Sequence, residues 1–494
     1  MAKRASSRQL LLTSLFAAIE GSSKAKKLLR KKEETTDSMT EAGIRQAALV
    51  VATLTSFMTP FMGSSINIAL PSIAKEFGID AVLLSWIPTS YLLATAVCLV
   101  PFGRLADIYG RKRIFGFGIV AFSLSSLLCA LSFSTPMLIC FRVFQGVGGA
   151  MIFATGVAIL TSVFPPQERG KVLGFNVAAV YTGLSLGPVL GGVLTHYFTW
   201  RSIFLLNVPF GIVIICLLLL KMKVEWTEAE EEKFDFIGAA IYGVAILGVI
   251  YGLSLLPSLR SLLYLIIGSL GLIVFVKREL KVKEPVFDLH LFVTNRVFAF
   301  SNLTALINYS GLFALTFLLS LYLQHIKGLG AQGAGFILIS QPIMMALCSP
   351  FAGRLSDKIE PRIVASAGMA LSTFGLFLLV FLTPDSGMGF IIGAQIVLGL
   401  GFGLFSSPNT NAIMGSVERK FYGLASGSVA TMRVIGNIIS MAVATLCFSV
   451  FLGRVQITPE HYDSFMKAVR VAFVVFSLLC FGGIFTSLVR GKVR

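Results

Sequence analysis

The sequence has few charged residues. Only 13% of the 494 residues are Asp, Glu, Lys or Arg, whereas an ordinary soluble domain carries roughly 25%. Hydrophobic residues make up 55% of the chain. A soluble globule of this length has too little interior to bury so much apolar surface, so the composition excludes that class and indicates a membrane protein.

The sequence also lacks the residue clusters of metal sites and enzymes. Its seven cysteines lie within apolar runs, without the spacing of metal ligands, and we expect them to be small buried or lipid-facing residues. They are Cys98, Cys129, Cys140, Cys216, Cys348, Cys447 and Cys480. No pair of nucleophile and base and no phosphate-binding loop is found. We therefore expect no enzymatic activity, no cofactor and no metal.

Long apolar runs recur along nearly the whole chain. Runs of about 20 residues are long enough to cross a hydrocarbon core of roughly 30 Å. The predicted spans lie near residues 47–70, 84–103, 114–133, 137–160, 172–195, 202–220, 237–256, 261–276, 298–324, 333–352, 363–383, 388–412, 423–452 and 469–489. Lipid offers backbone groups no partner, and a barrel would show short alternating segments instead. The sequence therefore predicts an all-α polytopic membrane protein with fourteen spans.

Basic residues are concentrated on the side of these spans that carries both termini. The positive-inside bias predicts that both termini lie in the cytoplasm. We expect the protein to reside in the cell (plasma) membrane. We attribute the net charge of +17 to this topology and expect no nucleic-acid partner. Residues 1–46 are predicted to be a basic cytoplasmic tail, which either touches anionic lipid headgroups or is disordered.

Short motifs repeat at a fixed distance along the chain. Gly103 and Asp107, in GRLADIYGRKR, align with Gly353 and Asp357, in GRLSDKIEPR, at an offset of 250 residues. Glu168-Arg169 and Glu418-Arg419 share this offset, which indicates two copies of one six-helix unit. The predicted halves are residues 47–221 and 297–490, with two inserted linker helices at 235–278 between them.

Three further motifs complete a recognisable pattern. RVFQGVGGA lies in span 4, and GLSLGPVLGG in span 5 is followed by TWRSIFLLNVPFG. Together with GRLADIYGRKR, these motifs resemble those of the major facilitator superfamily, specifically its fourteen-span drug:proton antiporter branch. The resemblance covers about residues 47–490 and implies export of a small molecule by alternating access.

The resemblance gives roles to two of the motifs. Gly103, Asp107 and Arg111 are expected to form a latch that closes the cytoplasmic side in one conformation, with Gly353 and Asp357 as a weaker counterpart. The alternative is an anchor that only fixes topology. The span 5 series is expected to let helices pack closely and rock past each other. It comprises Gly183, Gly187, Pro188, Gly191 and Gly192.

Two arginines lie within predicted spans. Arg142 lies in span 4, three residues before Gln145, and Arg433 lies near the middle of span 13. An arginine at the bilayer centre costs about 2.5–3.5 kcal/mol on insertion scales. Both are therefore expected to line a transport cavity or take part in coupling, although each could instead be tied to neighbouring backbone carbonyls.

The spans lack the acid that the resemblance implies. Where the branch carries an aspartate five residues before Asn67, this chain has Met62. All 24 Asp and Glu residues lie in the tail, in loops or at span edges. A cavity with arginines and no carboxylate disfavours organic cations and favours anionic or neutral amphiphiles. Proton coupling then requires the substrate's own proton or an edge carboxylate, unless the substrate gradient alone drives transport.

Neutral polar residues complete the candidate site. Asn67, Tyr91, Asn308 and Gln341, with Gln145, could hydrogen-bond to a substrate or could tie helix to helix. The expected partners are a small amphipathic molecule, the lipid bilayer and protons if coupling occurs, and we expect a monomer. Two alternatives to multidrug-type efflux remain open. One is a transporter of a specific anionic or neutral metabolite or lipid-like molecule; the other is a transport-inactive sensor or scaffold.

Overall fold

The computed structural model describes residues 23–222, 224–227, 232–256, 258–418 and 421–491, without the side chains of residues 23–42, 166–167, 169–171, 173, 254, 357 and 423. All regular elements in these ranges are helical. Among the described residues, fourteen helices have the length and composition to cross a membrane. They are α1 Gly43–Phe77, α2 Ala81–Tyr109, α3 Arg111–Ala130, α4 Thr135–Val163, α5 Gly174–Tyr197, α6 Arg201–Lys221, α7 Phe236–Leu253, α8 Leu259–Glu279, α9 Arg296–Ile326, α10 Ala331–Ser356, α11 Pro361–Val380, α12 Met388–Gly415, α13 Leu424–Leu452 and α14 Pro459–Val489.

The helix ends follow from local chemistry. Asp80 caps α2 by accepting a hydrogen bond from the Leu83 amide at 2.8 Å, and Asn295 caps α9 by accepting one from the Phe298 amide at 3.0 Å. Gly110 separates α2 from α3 with a φ of 112°, a conformation that other residues rarely adopt. α1 is the last part of a longer helix, Ser23–Phe77.

The last helix begins earlier than predicted. The sequence predicted a start near residue 469, whereas α14 begins at Pro459 and includes Lys467 and Arg470. Asp463 and Lys467, which precede the predicted start, lower the hydropathy of the first turns, so the apolar pattern begins only after them. Arg470 is accommodated because its Nε donates a hydrogen bond to the Leu382 carbonyl at 2.8 Å.

The two halves have the same packing pattern. In α1–α6 the first helix packs on the fifth, the second and third on the fourth, and the third on the sixth, and the same pairs recur in α9–α14. Because the number of spans is even, α1 begins and α14 ends at one end of the bundle, which we call the terminal face; the other end is the opposite face. The predicted pair of six-helix repeats is therefore confirmed.

The repeat extends to individual backbone contacts. A Cβ built on Gly146 in α4 would lie 2.3 Å from the Tyr91 carbonyl oxygen in α2. In the second half, a Cβ built on Gly399 in α12 would lie 2.4 Å from the Gln341 carbonyl oxygen in α10. Only glycine allows such an approach of two helices. Tyr91 and Gln341 therefore hold equivalent positions in the two halves.

The two inserted helices form a hairpin at the side of the bundle. α7 and α8 pack mainly on each other, and α7 also contacts α2 of the first half and α13 of the second. The helices approach closely because Gly248 faces Gly268, where a Cβ would lie 3.0 Å from the Gly268 Cα. The hairpin therefore lies beside the junction of the two halves.

Candidate functional site

The two halves are joined toward the opposite face. The Ala81 amide donates to the Val455 carbonyl at 3.1 Å, where α2 begins and α13 has ended. Deeper in the bundle, Ser320 Oγ of α9 donates to the Asn67 carbonyl of α1 at 2.7 Å. Further bonds between the halves join Gln324 Nε2 to the Ile68 carbonyl at 3.0 Å and Ser85 to Thr445 at 2.8 Å. The junction is therefore closed at the opposite face.

A cationic and aromatic cluster lies at this junction near mid-depth. Arg433 of α13 donates from Nε to the Tyr309 hydroxyl at 3.1 Å, and its Cζ lies 5.3 Å from the centroid of the Tyr309 ring. Phe402 of α12 packs edge-on against Tyr309 at 5.5 Å between centroids. Arg433 and Tyr309 are only partly buried. No carboxylate of the described residues forms an ion pair with this guanidinium.

The first half contributes Tyr181 to the same region. Its hydroxyl on α5 lies 3.4 Å from Ser349 Oγ of α10 and 3.5 Å from Ser406 Oγ of α12. The hydroxyl thus lies within electrostatic range of the Arg433 guanidinium. We call Arg433, Tyr309, Phe402, Tyr181, Ser349 and Ser406 the Arg433 cluster. It offers one cation, three rings and hydroxyl groups from both halves, which suits a flat or amphipathic molecule.

Arg142 lies elsewhere, inside the first half. Its side chain is 1% exposed and donates from Nε to the Ile87 carbonyl at 3.2 Å and from Nη1 to Gln145 Oε1 at 2.5 Å. Gln145 in turn donates to Ser126 Oγ at 2.6 Å, and the guanidinium lies 4.5 Å over the Tyr91 ring. The structure thus brings Arg142, Gln145 and Tyr91 together in a network that ties α2, α3 and α4.

The other neutral polar residues are dispersed. Asn67 lies buried at the junction of the halves, with its backbone carbonyl occupied by Ser320. Asn308 is buried within the second half, where Nδ2 donates to Met369 Sδ at 2.9 Å. Gln341 packs its backbone carbonyl against α12. A substrate contact for each of these side chains stays a prediction.

A thioether occupies the position of the missing acid. Met62 is 1% exposed, and its Sδ accepts a hydrogen bond from Asn207 Nδ2 of α6 at 3.2 Å. The contact places a weak neutral acceptor where a carboxylate would carry a proton. This position therefore offers no group that titrates.

The residues of the predicted latch contact each other and α4. Asp107 Oδ1 accepts hydrogen bonds from Arg111 at 3.0 Å from Nε and 2.8 Å from Nη2, and Arg111 Nη1 donates to Ser162 Oγ at 2.7 Å. A Cβ built on Gly103 would lie 3.9 Å from Ala154 Cβ, in ordinary contact. The latch function stays a prediction.

The counterpart in the second half is described only in part. A Cβ built on Gly353 would lie 2.9 Å from Ser407 Oγ of α12, so the glycine allows a close approach of α10 and α12. The side chain of Asp357 lies outside the described residues. Its role as a second latch is a prediction that rests on the sequence.

The glycines of α5 face two neighbouring helices. A Cβ built on Gly183 would lie 2.4 Å from the Phe57 carbonyl oxygen of α1, and Gly187 and Gly191 face the side chains of Ser64 and Ser65 of α1. On the other side, a Cβ on Gly192 would lie 2.6 Å from the Ala331 carbonyl oxygen of α10. Next to it, a Cβ built on Gly335 would lie 2.2 Å from the Pro188 carbonyl oxygen. The glycines thus let α5 pack closely on α1 in the first half and on α10 in the second half.

Sequence reasoning missed the acidic partner of the GRLADIYGRKR loop. Glu225, after α6, accepts hydrogen bonds from the amides of Lys112 at 2.8 Å and Arg113 at 3.4 Å, at the start of α3. A Cβ built on Gly110 would lie 2.5 Å from Glu225 Cδ. Arg104 also forms an ion pair with Glu232. An acid-rich loop on the same side as a basic helix start was the available signal.

A family model described as Major Facilitator Superfamily matches residues 52–301 and 302–493. The chain is 32% identical over 443 residues to the riboflavin transporter RibZ of Clostridioides difficile (strain 630), covering 88% of this chain and 95% of that protein. It is 30% identical over 446 residues to the cephamycin export protein CmcT of Amycolatopsis lactamdurans, covering 87% and 91%.

A further relative is Multidrug resistance protein 3 of Bacillus subtilis (strain 168), which is 29% identical over 380 residues, covering 75% of this chain and 74% of that protein. Among solved structures, a bacterial homolog of the human lysosomal transporter Spinster, inward-facing and unoccupied, matches with a TM-score of 0.63 at 16% identity. That match covers 90% of this chain and 97% of the other, and it supports the fold alone.

Proposed function

The chain belongs to the Major Facilitator Superfamily, and we propose that it exports small amphipathic compounds by alternating access between its two halves. It is a transporter rather than an enzyme, as its family implies. The predicted resemblance to the fourteen-span drug:proton antiporter branch is also confirmed. The proposal adds a direction, a substrate class and a site to these statements.

The observation that carries the proposal is the Arg433 cluster. It lies near mid-depth at the junction of the halves, the position where transporters of this architecture bind substrate. Arg433 and Tyr309 are partly exposed there, whereas Arg142 is enclosed within one half. We therefore assign substrate contact to Arg433 and the tethering of helices to Arg142.

The charge of this site supports neutral or anionic substrates. An unbalanced guanidinium raises the cost of bringing an organic cation into the cavity, because the two charges repel in a medium of low dielectric. The Tyr309, Phe402 and Tyr181 rings can stack on a planar apolar body. Amphiphiles with an aromatic part and a neutral or acidic polar part fit both features.

The junction closed at the opposite face supports access from the terminal face in this conformation. By the positive-inside bias, we place the terminal face in the cytoplasm and the protein in the plasma membrane, so this conformation would load substrate from the cell interior. Rocking of the halves, with the α5 glycines as contact surface, would release it on the other side.

A specific metabolite transporter is the second candidate. A riboflavin transporter is among the relatives and is covered almost over its whole length, and a neutral planar heterocycle also suits the rings of the Arg433 cluster. The two candidates differ in selectivity. Transport of a single planar compound, unaffected by an excess of unrelated amphiphiles, would favour the second.

The test is uptake by inside-out vesicles of matched cationic, neutral and anionic amphiphiles, with and without an imposed pH gradient. We expect saturable uptake of neutral or anionic members. Uptake of cations alone would contradict the assignment of Arg433, and no uptake of any member would favour the specific metabolite transporter, or a sensor or scaffold, over export of amphiphiles. Dependence on the pH gradient reports whether protons are coupled.

A further inference from the structure

A polar pocket lies at the opposite face, away from the Arg433 cluster. It has a volume of about 290 Å³ and is lined by residues of the α7–α8 hairpin, by Val82 of the first half and by Ser449 and Arg454 of the second half. The hairpin contributes Tyr251, Arg260 and Tyr264. The pocket is therefore where the inserted hairpin and both halves converge.

The pocket has two arginines that have no acidic partner among the residues that the structure describes. Arg260 and Arg454 are both exposed, and among the described residues neither guanidinium donates to a carboxylate or to any other side chain. Two guanidinium groups that line one pocket without an acid favour an anion. Their planar forks suit the oxygens of a phosphate group especially well.

The pocket lies at the depth of lipid headgroups. Arg260 is the second residue of α8, which spans Leu259–Glu279. At 1.5 Å per residue, this helix is about as long as a hydrocarbon core of roughly 30 Å is thick, so its first turn lies at the boundary where lipid phosphates lie. Arg454 follows the end of α13 at the same face.

Aromatic residues and an apolar surface adjoin the arginines. Tyr251 packs edge-on against Tyr264 at 5.1 Å and against Trp86 at 6.0 Å between ring centroids. Tyr and Trp rings with one polar end are typical of the membrane interface. Deeper along α8, Leu263 is 59% exposed and Ile266 is 56% exposed, and these side chains would meet acyl chains below the headgroup.

From this arrangement we propose that the pocket binds the phosphate group of an anionic phospholipid, held between Arg260 and Arg454. A free phosphate would satisfy the arginines equally well, but a lipid also places its acyl chains against the exposed apolar side chains of α8, which lie next to the pocket. The lipid joins the hairpin to the second half of the bundle. The proposal does not depend on which compound the protein transports.

Binding also favours the conformation described here. The pocket is bordered by the bond between the Ala81 amide and the Val455 carbonyl, and by a bond of 3.1 Å from Ser449 Oγ to the Leu256 carbonyl. Opening of the opposite face separates Ala81 from Val455 and so disrupts the pocket. A ligand that binds only the closed arrangement shifts the population toward it.

The experiment uses the purified full chain in neutral detergent. Phosphatidylglycerol, phosphatidylcholine and glycerol phosphate are offered separately, and the bound molecules are counted by native mass spectrometry. We expect the wild-type protein to retain phosphatidylglycerol at least about tenfold more tightly than either of the others. Arg260→Gln and Arg454→Gln should each weaken retention about tenfold, and Arg260→Lys less.

The matched control is Lys467→Gln, which removes an exposed positive charge near the same face outside the pocket. It should retain the lipid as the wild type does. Equal retention of the two lipids, an equal loss in the control, or glycerol phosphate binding as tight as the lipid would each overturn the proposal. A single symmetric peak in size-exclusion chromatography shows that the variants are folded.

A second measurement tests the link to conformation. Phosphatidylglycerol should slow hydrogen exchange of the Ala81 amide in the wild-type protein at least about threefold, because the closed face is populated more. The effect should disappear in the Arg260→Gln and Arg454→Gln variants. An unchanged exchange rate in the lipid-bound wild type would overturn the conformational part of the proposal.

Discussion

Arg433 and Tyr309 face each other from two helices of the second half, with Arg433 Nε donating to the Tyr309 hydroxyl at 3.1 Å. The same ring lies 5.3 Å from the guanidinium carbon. The arginine is thus held by a neutral group and keeps its full charge for a molecule in the cavity. Transport should depend on that charge more than on the hydroxyl that positions it.

Replacement of Arg433 tests this assignment. Arg433→Gln should raise KM for an anionic substrate about tenfold, because a charge-assisted hydrogen bond is lost, while Arg433→Lys retains part of the affinity. Tyr309→Phe should have a smaller effect, since the ring remains. Initial rates of uptake by vesicles measure these changes in KM. Lys467→Gln, which also removes one positive charge, serves as the control. An unchanged KM in Arg433→Gln would remove Arg433 from the substrate site.

Asp107→Asn should abolish transport while membrane insertion stays intact. The substitution leaves the shape of the side chain but weakens its two hydrogen bonds from Arg111, which the latch requires by resemblance. Vesicle uptake reports transport, and the amount of protein in the membrane fraction reports insertion. Full activity would reduce this aspartate to an anchor for the loop.

Gly110 and Glu225 are in contact, and their contributions to the stability of the protein can be measured separately. Glu225→Ala should lower stability by about 0.5–2 kcal/mol, because the start of α3 loses its acceptor. Gly110→Ala should cost about 1–2 kcal/mol from its φ of 112° alone, with more from the contact with Glu225. Thermal unfolding in detergent measures both.

The double variant distinguishes the two causes. Gly110→Ala with Glu225→Ala relieves the contact but keeps the strained backbone, so it should remain less stable than Glu225→Ala alone. Equal stability of the double variant and Glu225→Ala would show that the backbone of Gly110 carries no strain.

The equivalence of Gly146 and Gly399 gives a matched set of substitutions. Each Gly→Ala change forces two helices apart and should cost about 1–3 kcal/mol. Gly156 in α4 and Gly393 in α12 have no atom within 4 Å of a built Cβ, so Gly→Ala there should stabilise by about 0.5–1 kcal/mol. Thermal unfolding measures the change in stability of each variant. Destabilisation at Gly146 and Gly399 with stabilisation at Gly156 and Gly393 would support the packing described here, and a change of the same sign at all four would contradict it.

The hairpin should loosen in acid. Arg278 donates two hydrogen bonds to Asp235, at 3.1 and 2.9 Å, and thereby holds the pKa of this carboxyl below its ordinary value. A depressed pKa in the folded state means that the stabilisation is complete above the ordinary value and is lost as pH falls through the lowered one. Asp235→Asn should therefore be less stable than wild type near neutral pH, and the difference should vanish at low pH. Unfolding midpoints between about pH 2 and 7 measure it.

Much of the fold could be predicted because the bilayer imposes it. Hydropathy alone located fourteen spans, and the repeat at 250 residues identified the two halves. The predicted start of α14 was wrong, since Asp463 and Lys467 interrupt the apolar pattern that marks a span. Arg470 is tolerated through the carbonyl of Leu382, a residue far away in the chain, and no local pattern records such a contact.

The site was less accessible to sequence reasoning. Arg142 and Arg433 look alike in the sequence, as charges within apolar runs, yet one is enclosed in the first half and the other lies at the junction. The difference is that Arg142 lies on a helix face that packs within the first half, whereas Arg433 lies on a face near the junction of the two halves. Glu225 was missed because the amides that it accepts from lie more than a hundred residues earlier in the chain.

The paired glycine contacts have a consequence for how this protein can evolve. Gly146 and Gly399 meet the backbone carbonyls of Tyr91 and Gln341, and the side chains at these two positions take no part in that contact. One half now carries an aromatic ring there and the other an amide, on the same scaffold. Mutations that change the side chain at such a position leave this contact between glycine and carbonyl in place, so the two halves can diverge in side-chain chemistry one residue at a time.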